Sequence, residues 1–196
     1  MDQIMEQIVQ GIIEDEFVII DNYLDDWHWQ ALQDQLTNRW QAGEFKAASI
    51  GKGVASSKNE NVRSDQIKWI DRNDETQEEQ IFLDKIQSLI AYLNATCFTS
   101  LKNFEFHYAI YPPGTFYKKH LDQFSNDDAR KFSVICYLNN DWVDTDGGQL
   151  VLHLEDRTVE ILPQGGRMVC FQSHRIIHEV KAARRARMSI TGWLKN

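Results

Sequence analysis

The chain has 196 residues, is 42% hydrophobic and 11% aromatic, and carries a formal net charge of −8; it is long enough to bury a full core in one domain and too apolar for a disordered chain. The acidic balance argues against binding along a phosphate backbone, which requires a basic surface. Cys97, Cys136 and Cys170 show no CxxC or CxxxC spacing and no apolar run is long enough to span a membrane, so a soluble cytoplasmic protein with reduced thiols is the expectation.

In chain order, Ile4, Met5, Ile8, Val9, Ile12 and Ile13 recur at helical spacing and predict an amphipathic helix over 2–14. Phe17–Ile20 reads as a short buried strand. Asp25 or Asp26 is placed to cap a second helix that carries Trp29, Leu32, Leu36 and Trp40 on its packing side. Residues 41–60 are rich in glycine, serine and charge and predict a mobile loop at the tip of a hairpin, after which 62–70 is extended. A third helix runs from Glu75 to Cys97. Beyond residue 103 the period changes to two: Asn103–Tyr111, Phe116–Asp122, Phe132–Leu138, Gln149–Leu154, Thr158–Leu162, Arg167–Phe171, Ile177–Lys181 and Met188–Trp193 all read as strands. Their separators, Pro112-Pro113-Gly114, Asp146-Gly147-Gly148 and Gln164-Gly165-Gly166, carry turn chemistry. Helices followed by short, evenly spaced strands predict a mainly β, α+β architecture. Its core is a double-stranded β-helix (a jelly roll, cupin-like) over 101–196, and 1–100 supplies helices packed outside together with the hairpin loop, within one domain over 1–196.

Within the β region, His120 and Asp122 are one residue apart, which on a strand puts both side chains on one face. An imidazole and a carboxylate there are two thirds of a 2-His-1-carboxylate site, which suits non-haem Fe(II) because three ligands on one side leave positions open. Of the other histidines, His28 lies in a helix remote from the β region and is expected at or near the surface. His107 lies opposite the Phe104/Phe106 face without a defined target, and His153 reads as a hydrogen-bonded structural residue. His174 and His178 remain as third ligands; as an i, i+4 zinc pair they lack the glutamate of His-Glu-x-x-His. His178 has the better claim because a basic segment follows it. An iron site needs an electron source, commonly a 2-oxo acid whose far carboxylate is held by a buried arginine fork. Spacing leaves Arg184, Arg185 and Arg187 equally eligible; Tyr137 and Thr191 are placed to complete the carboxylate's partners.

The sequence resembles the Fe(II)/2-oxoglutarate-dependent prolyl hydroxylases of the oxygen-sensing type, the hypoxia-inducible-factor prolyl hydroxylases and their bacterial relatives. The resemblance covers nearly the whole chain. It rests on Val62-Arg-Ser-Asp-Gln-Ile-Lys-Trp-Ile-Asp71, Ala109-Ile-Tyr-Pro112, His120-Leu-Asp122, Ile135-Cys-Tyr-Leu-Asn-Asn-Asp-Trp142, Gly147-Gly148, His178-Glu-Val180 and Arg187-Met-Ser-Ile-Thr-Gly-Trp193. It implies His120, Asp122 and His178 as iron ligands and Arg187 as the partner of the distal carboxylate of 2-oxoglutarate, with Tyr137, Thr191 and Tyr111 lining the cosubstrate. It implies Arg63, Asp65 and Arg130 as polar residues at the substrate entrance, Trp193 beside the metal, and 46–62 as a loop closing over bound peptide. Trp69 is expected to be structural. The Tyr111–His120 segment is about one residue shorter than in the animal enzymes, and the sequence stops three residues after Trp193, short of the C-terminal helix found there.

The implied activity is hydroxylation, at the 4-position, of a proline in an exposed loop of a protein, with 2-oxoglutarate and O2 converted to succinate and CO2, ascorbate being a candidate reductant. A bacterial translation factor is the partner class the resemblance suggests. Two other readings stand beside it. One is an oxygenase of the same fold acting on a small molecule or demethylating nucleic acid. The other is a non-catalytic jelly-roll binding module.

Overall fold

A computed structural model describes residues 2–48, 62–123 and 128–196 of the chain. Its first helix, α1 (Asp2–Glu14), buries Met5, Ile8 and Ile12 as the spacing predicts, but Ile13 is 70% exposed, one helical step of 100° away from that stripe. After β1 (Phe17–Ile20), helix α2 (Asp26–Gln41) is capped by Asp25, whose carboxylate accepts the His28 amide at 3.3 Å. Trp29, Leu32 and Leu36 face inward, while Trp40 is half-buried and donates its indole N–H to Gln66. His28, expected near the surface, is buried, with Nε2 3.0 Å from the Glu78 carbonyl oxygen. That bond ties α2 to the start of α3 (Gln77–Cys97), a long-range contact to which helical periodicity is blind. Helix α3 begins two residues later than the apolar pattern suggests because Thr76 and Glu79 form a reciprocal capping box.

The strands are β2 (Lys46–Ala47), β3 (Gln66–Trp69), β4 (Asn103–Tyr111), β5 (Tyr117–His120), β6 (Arg130–Tyr137), β7 (Leu150–His153), β8 (Thr158–Ile161), β9 (Met168–Gln172), β10 (Ile177–Val180) and β11 (Arg187–Lys195). They form two antiparallel sheets. The larger runs β1-β9-β6-β11-β4-β3-β2 and the smaller β5-β10-β7-β8. The expected extended segment 62–70 is thus a strand only over Gln66–Trp69, with Arg63 bridging separately to Tyr117. Only the base of the expected hairpin loop is described, where Lys46 and Ala47 pair with Ile67 and Gln66; residues 49–61 lie outside the described part. Among the described residues no helix is long and apolar enough to cross a membrane.

The alternation within the long strands assigns each face of the larger sheet a different partner. On β4, Phe106, Tyr108 and Ile110 join Ile8, Leu32, Leu36, Phe82, Ile86 and Leu89 in a core between the sheet and the three helices. Ala109 and Tyr111, one step out of phase, join Ile135, Tyr137, Leu150, Leu152 and Phe171 in a second core between the sheets. This is the jelly roll with external helices that the strand spacing predicts. The helices armour one face of the large sheet, leaving the space between the sheets to open at one end, where the site lies.

Candidate metal centre

Antiparallel pairing of β5 with β10 sets His120 directly opposite His178, and the register breaks immediately afterwards, between His178 and Val180. Their rings lie 4.2 Å apart by centroid. Asp122 reaches the same point by another route than strand alternation. Strand β5 ends at His120, and Asp122 sits in the bend that follows. Bonds to the larger sheet hold that bend: the Gln123 amide donates to Ser173 O, and the Arg130 guanidinium donates to Asp122 O. The carboxylate itself accepts from the Ser133 hydroxyl on β6 at 2.7 Å.

The ligand atoms of His120, Asp122 and His178 all lie within 4.8 Å of one another. Asp122 stands 3.5 Å from His120 Nε2 and 3.6 Å from His178 Nε2. Each imidazole is oriented by its own strand: Nδ1 of His120 donates to Lys118 O at 2.7 Å, and Nδ1 of His178 to Ile176 O at 3.1 Å. With the proton on Nδ1, both Nε2 lone pairs face the centre, the arrangement that backbone-supported metal-binding histidines adopt. Burial lowers the His178 pKa to about 4, against the pull of Asp122, so the ring is neutral at neutral pH and its lone pair is available to a metal. Burial works to raise the Asp122 pKa, but the neighbouring His178 and His120 and the Ser133 hydroxyl outweigh it and hold the carboxyl well below the usual range. Two imidazoles and one carboxylate converging from one side fit a divalent metal with open positions. Tyr117 and Phe171 pack the two rings, at 3.5 and 4.7 Å between centroids.

Ser133 carries no signal in the sequence, since serine on a buried strand reads as filler, yet it fixes the carboxylate. Ser133→Ala is expected to weaken divalent-metal affinity about tenfold to a hundredfold, measured by chelator competition, while leaving the fold intact. Unchanged affinity would show that the bend alone orients Asp122.

The triad opens into a cavity between the two sheets. Ala109, Ile135, Leu150 and Val180 supply its apolar wall. Of the three arginines that spacing left equal, Arg187 alone lines it; Arg184 is exposed, and Arg185 lies on Trp142 with an ion pair to Asp146. Arg187 is 1% exposed, has Nε bonded to Gly148 O at 2.9 Å, and keeps one terminal nitrogen without a hydrogen-bond partner among the described residues. The rings of Tyr111 and Tyr137 flank its guanidinium at 5.1 and 5.0 Å, and burial raises the pKa of both phenols, so both remain O–H donors. Gly148, at φ +71°, lets the backbone approach this closely: a Cβ there would meet Ala183 at 2.9 Å and Arg187 at 3.3 Å. A buried cation with an unfilled donor, flanked by two phenols, is chemically suited to receive a carboxylate. Thr191 also lines the cavity, its hydroxyl 3.2 Å from that of Ser189.

At the open end, Arg63 lines the cavity in a two-pronged pair with buried Asp65, at 2.6 and 2.8 Å, and lies over the Tyr117 ring. Burial pushes the Tyr117 phenol up to about 12. Arg130 stacks on Trp193 at 3.4 Å and pairs with Glu105, which also holds Lys195. Trp193 lines the cavity; Asp65, Arg130 and Tyr137 stand behind its surface. Trp69, expected to be structural, is half exposed at this rim. His174 is exposed and is not part of the His120–Asp122–His178 cluster, and His153 pairs with Glu179 at 2.9 Å. His107, without a target in the sequence, lines the cavity and packs against Trp69 and Trp193.

Comparison with known proteins gives the same picture. Residues 106–195 match the 2OG-Fe(II) oxygenase superfamily. The crystal structure of a Pseudomonas putida prolyl-4-hydroxylase is 34% identical, with 98% of each chain covered and a TM-score of 0.89. A prolyl hydroxylase from Trichoplax adhaerens, solved with a hypoxia-inducible-factor oxygen degradation domain peptide fragment, is 30% identical over 99% of this chain and 90% of its own, with a TM-score of 0.89. The Caenorhabditis elegans hypoxia-inducible factor prolyl hydroxylase is 29% identical over 97% of this chain, which spans 28% of that relative's length.

Proposed function

The chain belongs to the 2OG-Fe(II) oxygenase superfamily, and on that premise we propose that it hydroxylates a prolyl residue in a peptide segment of another protein, using Fe(II), 2-oxoglutarate and O2. The observation that carries this reading is the pairing, in one cavity, of the His120–Asp122–His178 centre with the buried, underbonded Arg187. A metal site alone serves many ends; a carboxylate receptor beside it calls for an acid cosubstrate. The prolyl substrate is supported by the two prolyl hydroxylase structures that match over nearly the whole chain.

In this reading His120, Asp122 and His178 hold the metal from one side and leave the cavity side free. Iron supplies the redox chemistry that couples decarboxylation of the 2-oxo acid to hydroxylation, giving succinate, CO2 and hydroxyproline. Arg187 receives the far carboxylate of 2-oxoglutarate, and Tyr111, which lines the cavity as a protonated phenol, adds a donor to it, while Tyr137 flanks the guanidinium from behind. Ile135, Leu150 and Val180 exclude water, which strengthens that ion pair and protects the reacting carbon. The Arg63–Asp65 pair and the Arg130–Trp193 stack form the walls past which the peptide enters.

The test is mass spectrometry of tryptic digests of a proteome incubated with the protein, Fe(II) and O2, with and without 2-oxoglutarate. The expected result is the gain of one oxygen atom on a prolyl peptide only when 2-oxoglutarate is present. Oxygen gained exclusively on non-prolyl residues or on small molecules would replace the substrate class.

A further inference from the structure

His107 is 1% exposed on β4, lines the cavity, and among the described residues finds no hydrogen-bond partner for either ring nitrogen. A buried imidazole in that state has surrendered its bonds to water and received none in return. A leucine or methionine would fill the space without that cost. Trp69 and Trp193 pack against the ring, at 4.8 and 5.5 Å between centroids, and the residue borders the cavity. Burial, reinforced by the Arg63 and Arg130 charges, lowers the pKa to about 3, so the ring is neutral and offers one N–H and one lone pair.

Its place in the sheet indicates what it meets. Across the β4–β11 ladder Arg187 pairs with Tyr111, whereas Thr191 pairs with His107. Four residues of strand, about 13 Å, separate the carboxylate receptor from His107, which lies toward the end that bears Trp193, Arg130 and half-exposed Trp69. The far carboxylate of the cosubstrate therefore belongs to the other end, and His107 to the substrate's side. A prolyl residue has no amide N–H, so the peptide bond that precedes it offers only a carbonyl oxygen, and an N–H donor is the complement that oxygen requires.

We propose that His107 is a substrate-contacting residue, donating its ring N–H to a backbone carbonyl oxygen next to the target proline. The proposal rests on the prolyl-peptide reading above. Through it the site favours peptides over apolar molecules of similar size, because an apolar ligand would leave the imidazole unpaired.

The test uses full-length protein loaded with Zn(II), which is redox-inert, and 2-oxoglutarate, with a library of end-blocked pentapeptides bearing a central proline as probe. His107→Leu is expected to lower peptide retention about tenfold, and His107→Gln, which keeps a donor, to restore most of it. Affinity for 2-oxoglutarate should stay within about twofold of wild type in both, which also reports that the variants are folded. In wild-type protein carrying ¹⁵N-histidine, addition of the retained peptides should shift the His107 ring signals. Equal retention by wild type and His107→Leu, equal loss in the leucine and glutamine variants, or unmoved ring signals would overturn the contact while leaving the function standing. Wild-type protein that retains no prolyl peptide would overturn the prolyl reading and this contact together.

Discussion

Asp122→Ala is expected to abolish 2-oxoglutarate-dependent succinate formation and to lower divalent-metal affinity by more than the roughly hundredfold seen when a supporting residue is lost. The carboxylate is the only anion among the three donors and lies within 3.6 Å of both imidazole nitrogens. Its removal leaves two imidazoles, and among the described residues no other carboxylate joins them: the groups beside it are the Ser133 and Ser173 hydroxyls, hydrogen-bonded to each other at 2.8 Å. The bend that holds Asp122 is anchored by backbone bonds and by Gln123, so the alanine variant should fold. Metal content by elemental analysis and succinate by mass spectrometry check this. Undiminished 2-oxoglutarate consumption in the variant would remove Asp122 from the centre.

Arg187→Met should separate binding from stability, because its effects on the two have different signs. Without cosubstrate, Arg187 is a buried cation that spends Nε on Gly148 O and leaves one terminal nitrogen without a partner among the described residues. Replacing it with an apolar residue of similar length removes a desolvated charge, so the melting temperature of the metal-loaded protein should be unchanged or higher. With cosubstrate the sign reverses. Loss of a buried ion pair with a carboxylate costs about 3 kcal/mol, so the 2-oxoglutarate concentration for half-saturation should rise about a hundredfold or more. The gain in melting temperature produced by 2-oxoglutarate in wild type should disappear. Retained stabilisation by 2-oxoglutarate would place the receptor elsewhere in the cavity.

The parts of this structure that were legible beforehand are those governed by short-range periodicity. The three helices, the change to period two after residue 103 and the inward set of β4 follow from apolar spacing alone. The sheet order β1-β9-β6-β11-β4-β3-β2 does not, because it is set by long-range pairing that no local pattern encodes. The His120–Asp122 pair is instructive. The proximity inferred from strand alternation is found, but the strand stops at His120 and a bend tied to β6 delivers Asp122. Among the arginines the ambiguity was one of register: Arg184, Arg185 and Arg187 differ in which residue begins β11 and points between the sheets, and spacing leaves that open where the family resemblance favours Arg187. His28, Ser133 and His107 were illegible for a common reason. Each owes its place to partners far along the chain: α3 for His28, the Asp122 bend for Ser133, and the Trp69–Trp193 pair for His107. Their roles exist only after the sheets have closed.

The central claim is that one cavity binds iron at His120, Asp122 and His178 and 2-oxoglutarate between that centre and Arg187. Anaerobic titration of the metal-free protein with Fe(II) and 2-oxoglutarate, followed by visible absorption, tests it most directly. The account predicts a new metal-to-ligand band that requires both components, saturates at one of each per chain, is absent in Asp122→Ala and needs far more 2-oxoglutarate in Arg187→Met. A wild-type protein that binds both components and shows no band would contradict it, because the two would then occupy separate sites.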